Sequence, residues 1–296
     1  MKKVLVTGLD SFTGYYVNEL LVSAGYDVFG YCRQNPNNDA QIIQGDLLSP
    51  DRLEAAVKQV QPNFVIHLAA VSSVQHSDKL DIYRTNVIGT LNLLEAIKKA
   101  KVGITKIILA SSANIYGNKT EGMISESHPA EPVNEYAASK AAMEMAIKPY
   151  AMQLPITVVR PFNYTGVSQS RNFLIPKIVS HFVEKKSVLE LGNIDVSRDF
   201  SDVRDISQYY VGLLENEEAI GKIFNLCSGV SHKLADVIGY LESISGHRPE
   251  IKINQDFVRK NDVKVLLGDN TILLKTIHKK PNYTLMNTLE WMYFSK

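Results

Sequence analysis

Val4-Leu5-Val6-Thr7-Gly8-Leu9-Asp10-Ser11-Phe12-Thr13-Gly14 runs from an apolar β-branched segment through a glycine-marked turn into a helical pattern. A chain folded this way presents backbone N–H groups and a helix N-terminus at the carboxyl end of a strand, an arrangement that receives a pyrophosphate. Gly8 and Gly14 hold the first and third glycine positions of such a turn, while Ser11 stands at the second, where a side chain crowds the approach of a diphosphate. Phe12 and Thr13 complete the contact surface. Glycine spacing alone is equally compatible with an ordinary strand-to-helix turn, so the surrounding order of elements has to decide.

Outward from this turn, Val28–Tyr31, Phe64–His67, Lys106–Ala110 and Thr157–Arg160 read as further strands, most of them continuously apolar. Strands of that kind are buried on both faces, as in a parallel sheet covered by helices. Helical patterns fall between them, from about Gly14 to Ala24, Pro50 to Val60, Ile82 to Lys99 and Tyr136 to Leu154, which implies right-handed βαβ crossovers. The fold class is therefore α/β, a Rossmann-type doubly wound parallel sheet with a smaller C-terminal α/β substrate lobe. After Pro161 we expect a helix near Pro176–Glu184, a short strand at Val188–Leu191, and a strand at Lys222–Leu226 that returns to the main sheet. Helices near Leu234–Ser245 and Leu285–Tyr293 belong to the lobe. The division we expect is 1–166 plus about 198–228 for the dinucleotide-binding domain, and about 167–197 plus 229–296 for the sugar-nucleotide lobe.

The composition narrows the function. With 32 basic and 31 acidic residues, the 296-residue chain has a net charge of +1 and no global field to attract nucleic acid or an anionic membrane. Cys32 and Cys227 form no metal-ligand spacing, so no metal is expected, and a distant pair of this kind suits a reducing cytoplasm. The start of the chain lacks the apolar run of a signal peptide, and no stretch approaches the roughly 20 apolar residues of a spanning helix.

The end of the second strand bears on cofactor choice. An acid there binds the ribose 2′-hydroxyl of NAD, whereas an arginine suits a 2′-phosphate. This strand ends Tyr31-Cys32-Arg33, so NADP(H) is favoured with NAD(H) possible, the alternative being that Arg33 is a solvated surface residue. Asp46 in Gly45-Asp46-Leu47 is placed either to accept from the adenine amino group or to cap the helix before Pro50. Leu68-Ala69-Ala70 ends a strand with small residues that let a cofactor lie close.

Tyr136 and Lys140 are four apart on a predicted helix and share a face. A lysine ammonium beside a phenol draws the tyrosine pKa down from about 10, so the pair is suited to moving a proton. Ser111-Ser112 follows the Lys106–Ala110 strand, and a hydroxyl at that edge reaches the same substrate oxygen. With Thr7-Gly8…Gly14, His67-Leu68-Ala69-Ala70, Asn86-Val87-Ile88-Gly89-Thr90, Tyr116-Gly117 and Arg160-Pro161-Phe162-Asn163, the chain resembles the extended short-chain dehydrogenase/reductase family over essentially its whole length. That resemblance implies Ser112, Tyr136 and Lys140 as a catalytic triad, Pro161 beside the cofactor, a nucleotide-diphosphate sugar as substrate, and a homodimer built on the helices beginning near Ile82 and Tyr136.

The residues after the catalytic serine discriminate among family reactions. Dehydratases of the family carry a glutamate base there, whereas this chain has Ala113-Asn114, so 4,6-dehydration is disfavoured. Arg160 to Lys177 and Leu191 to Asp205 are similar to the branch acting on GDP-linked 4-keto sugars, nearest its reductases. The resemblance extends through Asp262 to Asp269. It implies substrate contacts at Asn163, Asn172, Lys177, Gly192, Asn193, Arg198 and Arg259, each of which also reads singly as surface or loop. His67 is expected as a packed strand-end histidine. Two rivals stay open: a sugar-nucleotide 4-epimerase, which would retain NAD through purification, and a silent dinucleotide-sensing protein, whose activity would survive loss of the Tyr136 hydroxyl.

Overall fold

The computed structural model describes residues 1–72, 76–118, 122–257 and 265–295. In chain order the first half comprises Lys3–Thr7 (β1), Phe12–Ser23 (α1), Asp27–Cys32 (β2), Ile42–Gln44 (β3), Pro50–Val60 (α2), Phe64–His67 (β4), Lys79–Tyr83 (α3), Gly89–Ala100 (α4), Lys106–Ala110 (β5), Met123–Ile124 (β6), Glu135–Ala146 (α5), Lys148–Ala151 (α6) and Ile156–Pro161 (β7). The second half comprises Asn163–Thr165 (β8), Leu174–Val183 (α7), Val188–Leu191 (β9), Ser197–Asp202 (β10), Val203–Leu214 (α8), Ile223–Leu226 (β11), Ser231–Lys233 (β12), Leu234–Ser245 (α9), Glu250–Ile253 (β13), Val265–Gly268 (β14), Thr271–Ile277 (α10) and Leu285–Phe294 (α11).

Seven parallel strands form the main sheet in the order β11-β7-β5-β4-β1-β2-β3. From β1 the chain moves outward to β2 and β3, then returns to β4 on the other side. The carboxyl ends of β1 and β4 therefore flank the crevice where ligands bind in doubly wound sheets. Successive residues of one strand serve opposite layers. Val4 and Val6 pack with α1, α8 and α10 through Val17, Leu21, Ile206, Leu213 and Leu273, while Leu5 packs with α2, α4 and α5 through Leu53, Val57, Leu93 and Met143. Burial on both faces explains why these strands read as unbroken apolar runs.

As expected from the sequence, β11 returns to the main sheet, pairing with β7. The rest of the chain builds β12-β10-β14-β6 with β8 on β10, a two-stranded β13-β9 sheet, and a separate apolar core from α7, α9, α11 and β9. Among the described residues no helix is long and apolar enough to cross a membrane.

Two helical expectations are corrected. The stretch from Ile82 to Lys99 is not one α-helix, because a π turn at Arg84–Ile88 separates α3 from α4. The stretch from Tyr136 to Leu154 stops at Ala146, and a short second helix carries Pro149, which cannot donate an N–H to the turn before it. The strand β3 had no clear sequence signal, since only Ile42 and Ile43 are apolar in it.

Arg160, on β7, is a structural residue. Its Nη2 and Nε meet both Glu144 carboxylate oxygens at 2.6 and 3.0 Å, and its Nη1 donates to the Tyr116 hydroxyl and the Glu126 carbonyl. Both ion-pair side chains are about a tenth exposed or less. Removing one partner of such a pair strands the other charge without water. Glu144→Ala should therefore lower unfolding free energy by about 3–5 kcal/mol, read from urea unfolding monitored by Trp291 fluorescence.

Candidate active site

The phosphate turn is closed by contacts that leave no room for side chains. Gly8 adopts φ +72°, and a methyl there would lie 2.9 Å from the Ala69 Cα. A methyl on Gly14 would lie 2.4 Å from the Gly8 carbonyl oxygen, so α1 starts hard against the end of β1. Leu68, Ala69 and Ala70 are half-buried beside the turn, the Leu68 amide bonding the Thr7 carbonyl and the Ala69 amide the Thr7 hydroxyl. Ser11 has a positive role rather than merely an intrusive one. It is the N-cap of α1, and its Oγ accepts the Gly14 amide at 3.0 Å, which leaves the first-turn amides of Phe12 and Thr13 free of intrahelical acceptors.

At the outer edge, Asp46 Oδ1 accepts the Leu48 amide at 2.8 Å just before α2, which is the turn-closing arrangement. Leu47 is buried and packs on Gly89, whose missing side chain admits it. Arg33 is exposed at the end of β2. Before it, the Cys32 thiol is buried and pushed up to about 11 by burial, so β2 itself ends without the carboxylate that an NAD site carries there.

Ser112, Tyr136 and Lys140 converge at the carboxyl edge of β5. Ser112 ends the strand and caps the turn Ala113–Tyr116, its Oγ accepting the Asn114 amide at 3.1 Å. Tyr136 opens α5 after the N-cap Asn134, and its phenol lies against the Ser112 hydroxyl. Lys140 is 4% exposed and donates to the Ala110 carbonyl at 2.7 Å. Next to Ser112 in the chain, the Ser111 hydroxyl is buried without a hydrogen-bond partner in the described structure.

The expectation that Lys140 lowers the Tyr136 pKa is corrected. Burial pushes the phenol up to about 12, opposed by Ser112, while the ammonium is engaged by Ala110 one helical turn away. Lys140 is itself pulled down to about 8 by burial, opposed by Glu144. His67 is the packed residue expected. Its ring bonds the Thr7 and Thr90 hydroxyls at 2.6 and 2.9 Å, and burial, followed by the Lys140 charge, lowers it to about 3, so it stays neutral.

Two supports were not singled out from sequence. Asn86, in the π turn, holds the Val71 backbone with both ends of its amide and donates to Ser139 Oγ at 3.0 Å; Ser139 in turn donates to the Tyr136 carbonyl. The π turn is what aims Asn86 inward, a common reason for such turns at functional sites. Tyr164 on β8 stacks on Phe12 with ring centroids 6.1 Å apart and planes 8° from parallel, and its hydroxyl bonds Thr13 Oγ1 at 2.7 Å. It pins the two residues whose amides head α1. Their motifs marked both stretches, but only the fold shows where the side chains point.

Pro161, the candidate cofactor neighbour, is buried at the end of β7, and of the candidate substrate residues Asn163 is exposed two residues on. Asn172 is exposed ahead of α7, and the Lys177 ammonium lies 4.4 Å from the Phe257 ring centre. Phe257 also abuts Gly192, where a methyl would lie 2.5 Å from its carbonyl oxygen. Asn193 turns onto the Asp195 amide, and Arg198 on β10 bonds the Ser197 carbonyl. Lys177, Gly192 and their neighbour Phe257 are thus brought together. Arg259 and the Asp262–Lys264 part of its motif lie outside the described residues.

The GDP-mannose 4,6 dehydratase family model matches residues 5–292. The chain is 36% identical to the GDP-6-deoxy-D-talose 4-dehydrogenase of Aggregatibacter actinomycetemcomitans, over 98% of this chain and 97% of that protein. It is 32% identical to the GDP-6-deoxy-D-mannose reductase of Pseudomonas aeruginosa, over 97% and 95% of the two chains. The structure of RMD from Pseudomonas aeruginosa complexed with NADPH superposes with a TM-score of 0.87 at 29% identity, covering 99% and 98%. Sugar-nucleotide 4-epimerases are also among the similar chains.

The Tyr164 contacts have a measurable consequence. Tyr164→Phe keeps the stack on Phe12 but loses the bond to Thr13, and should weaken dinucleotide binding about 2–10-fold in a fluorescence titration. Thr13→Val should do the same, and the double variant should lose little more, because the two hydroxyls share one bond.

Proposed function

This chain belongs to the GDP-mannose 4,6 dehydratase family of extended short-chain dehydrogenase/reductases, and on that premise we propose that it is an NADPH-dependent reductase of a GDP-linked 4-keto-6-deoxy sugar, hexose or heptose. The observation that carries this reading is the turn after Ser112. Ala113 is buried there and Asn114 is exposed, so beside the Ser112 hydroxyl and the Tyr136 phenol the turn places no carboxylate to remove a sugar proton. A site with donors and no base at that position suits addition of a hydride to a carbonyl.

The proton inventory agrees. A phenol held near 12 is protonated at neutral pH and ready to donate, which is the form that a reduction starts from. The 4-keto oxygen would lie between Ser112 and Tyr136, whose donors stabilise the charge that develops on it before Tyr136 gives up its proton. Bound dinucleotide supplies the hydride. The closed turn at Gly8 and Gly14, the uncommitted Phe12 and Thr13 amides, and the exposed Arg33 after β2 fit that group. Lys140 would hold the nicotinamide ribose, Asn163 would orient the sugar or nicotinamide, and Asn172, Lys177, Gly192, Asn193, Arg198 and Arg259 would bind the GDP portion. NADPH is preferred and NADH accepted in this reading. The two bodies of the fold divide these tasks, the main sheet taking dinucleotide and the lobe taking GDP-sugar. The enzyme would act in the cytoplasm on precursors of a cell-surface polysaccharide.

A second copy is the expected partner. Leu80 and Ile88 near the α3–α4 junction and Met145 on α5 are 64, 47 and 68% exposed, an apolar surface on the helices through which the homodimer would form. Light scattering should give twice the 33.0 kDa mass of one chain; a monomeric mass would refute the dimer.

Freshly generated GDP-4-keto-6-deoxy-mannose should consume NADPH stoichiometrically, with slower consumption of NADH. Isomerised sugar without net consumption, or NAD retained through purification, would instead establish an epimerase. Tyr136→Phe should lower kcat about 10²–10⁴-fold. Lys140 carries its charge below about pH 8 and loses it above, so kcat/KM should decline as pH rises through 8, and Lys140→Met should remove that decline along with most activity.

A further inference from the structure

The end of β2 lacks the acid that would hold an adenosine ribose, yet the phosphate turn delivers one to the same place. Thr7 and Tyr31 are in register, and the Gly8 amide donates to the Tyr31 carbonyl at 3.0 Å. Leu9 then lies across Gly30, where a methyl would come 2.9 Å from its Cδ2. The next residue, Asp10, is exposed, and its carboxylate and backbone amide both lie against the buried Cys32 thiol. Arg33 follows Cys32 directly, also exposed, its carbonyl held by Gln44 Nε2 at 3.1 Å. One carboxylate and one guanidinium therefore flank a single strand end, the first carried by the β1 turn and the second by β2.

These two charges oppose one another in their effect on a dinucleotide. A carboxylate accepts from a ribose 2′-hydroxyl, whereas a 2′-phosphate brings about two negative charges into its vicinity. A guanidinium forms charge-assisted bonds with the phosphate and has little to offer the hydroxyl. We propose that Asp10 is a cofactor-specificity residue, binding the 2′-hydroxyl of NADH and repelling the 2′-phosphate of NADPH, so that Asp10 limits the preference that Arg33 creates. Dual cofactor use is then a built-in balance of the site. The inference rests on the dinucleotide-binding reading but not on the identity of the sugar.

Dissociation constants of NADPH and NADH, measured by nucleotide fluorescence on the full chain in low salt, test it without any substrate. Asp10→Asn should raise the NADPH:NADH affinity ratio about tenfold or more, through tighter NADPH and weaker NADH. Arg33→Gln should lower the ratio, and the rise caused by Asp10→Asn should shrink as salt is added, because an exposed charge is screened. A ratio unmoved by Asp10→Asn, or both affinities falling together, would overturn the role of Asp10 alone. Failure of the unmodified chain to bind either dinucleotide would overturn the cofactor reading beneath it as well.

Discussion

The contact of α1 with the end of β1 at Gly14 governs the geometry of the rest of the site. The Gly8 carbonyl oxygen lies only 2.4 Å from where a methyl on Gly14 would be, so no side chain fits there, and the same oxygen accepts the Ser11 amide at 3.0 Å and ties the helix start to the turn. Its first residues are thus held at the crevice between β1 and β4. Ser11 then satisfies the Gly14 amide, while the Phe12 and Thr13 amides have no intrahelical acceptor. From there Phe12 stacks on Tyr164 and meets Tyr16 edge-on, and Tyr16 meets Trp291 of the C-terminal helix edge-on. A backbone contact in the first turn thereby reaches, through the three rings of Phe12, Tyr16 and Trp291, the lobe that would hold the sugar nucleotide.

The catalytic edge is built by a different device. Lys140 and Ser139 follow Tyr136 on α5, and each fixes the helix to a separate neighbour: Lys140 to the β5 carbonyl of Ala110, Ser139 to Asn86 in the π turn. A helix held at two adjacent residues has little freedom to slide, so the Tyr136 phenol is held beside Ser112. The cost is a buried ammonium. Burial draws Lys140 toward 8, and in a protein of effective dielectric near 20 the Glu144 charge offsets only part of that.

Much of this was legible in the residues, and the limits are physical. The five strands read from apolar runs are those of the sheet centre, because burial on both faces leaves no alternation to mislead the reading. Only Ile42 and Ile43 are apolar in the edge strand β3, so it gave little signal. The π turn at Arg84–Ile88 has helical periodicity on either side and no proline or glycine within it, hence nothing in the pattern separates it from a continuous helix. Tyr136 and Lys140 were legible as a pair by spacing, but their electrostatic relation was not. Four residues along a helix establish a shared face, whereas the distance between a phenol and an ammonium depends on what else the ammonium can reach, and here a strand-end carbonyl lies within 2.7 Å.

That correction changes the chemistry expected of the tyrosine. A phenol drawn toward neutrality by an adjacent cation starts as a base and suits oxidation of an alcohol; a phenol kept high by burial starts as an acid and suits reduction of a carbonyl. Reduction starts from the protonated phenol that burial favours, and the same burial acts on the proton transfer in either direction. The Ala113-Asn114 turn places no carboxylate directly after Ser112, where a base would take a carbon-bound proton from the sugar. Desolvation at the phenol and the Ala113-Asn114 turn are independent features of the chain, and both are compatible with the proposed reduction.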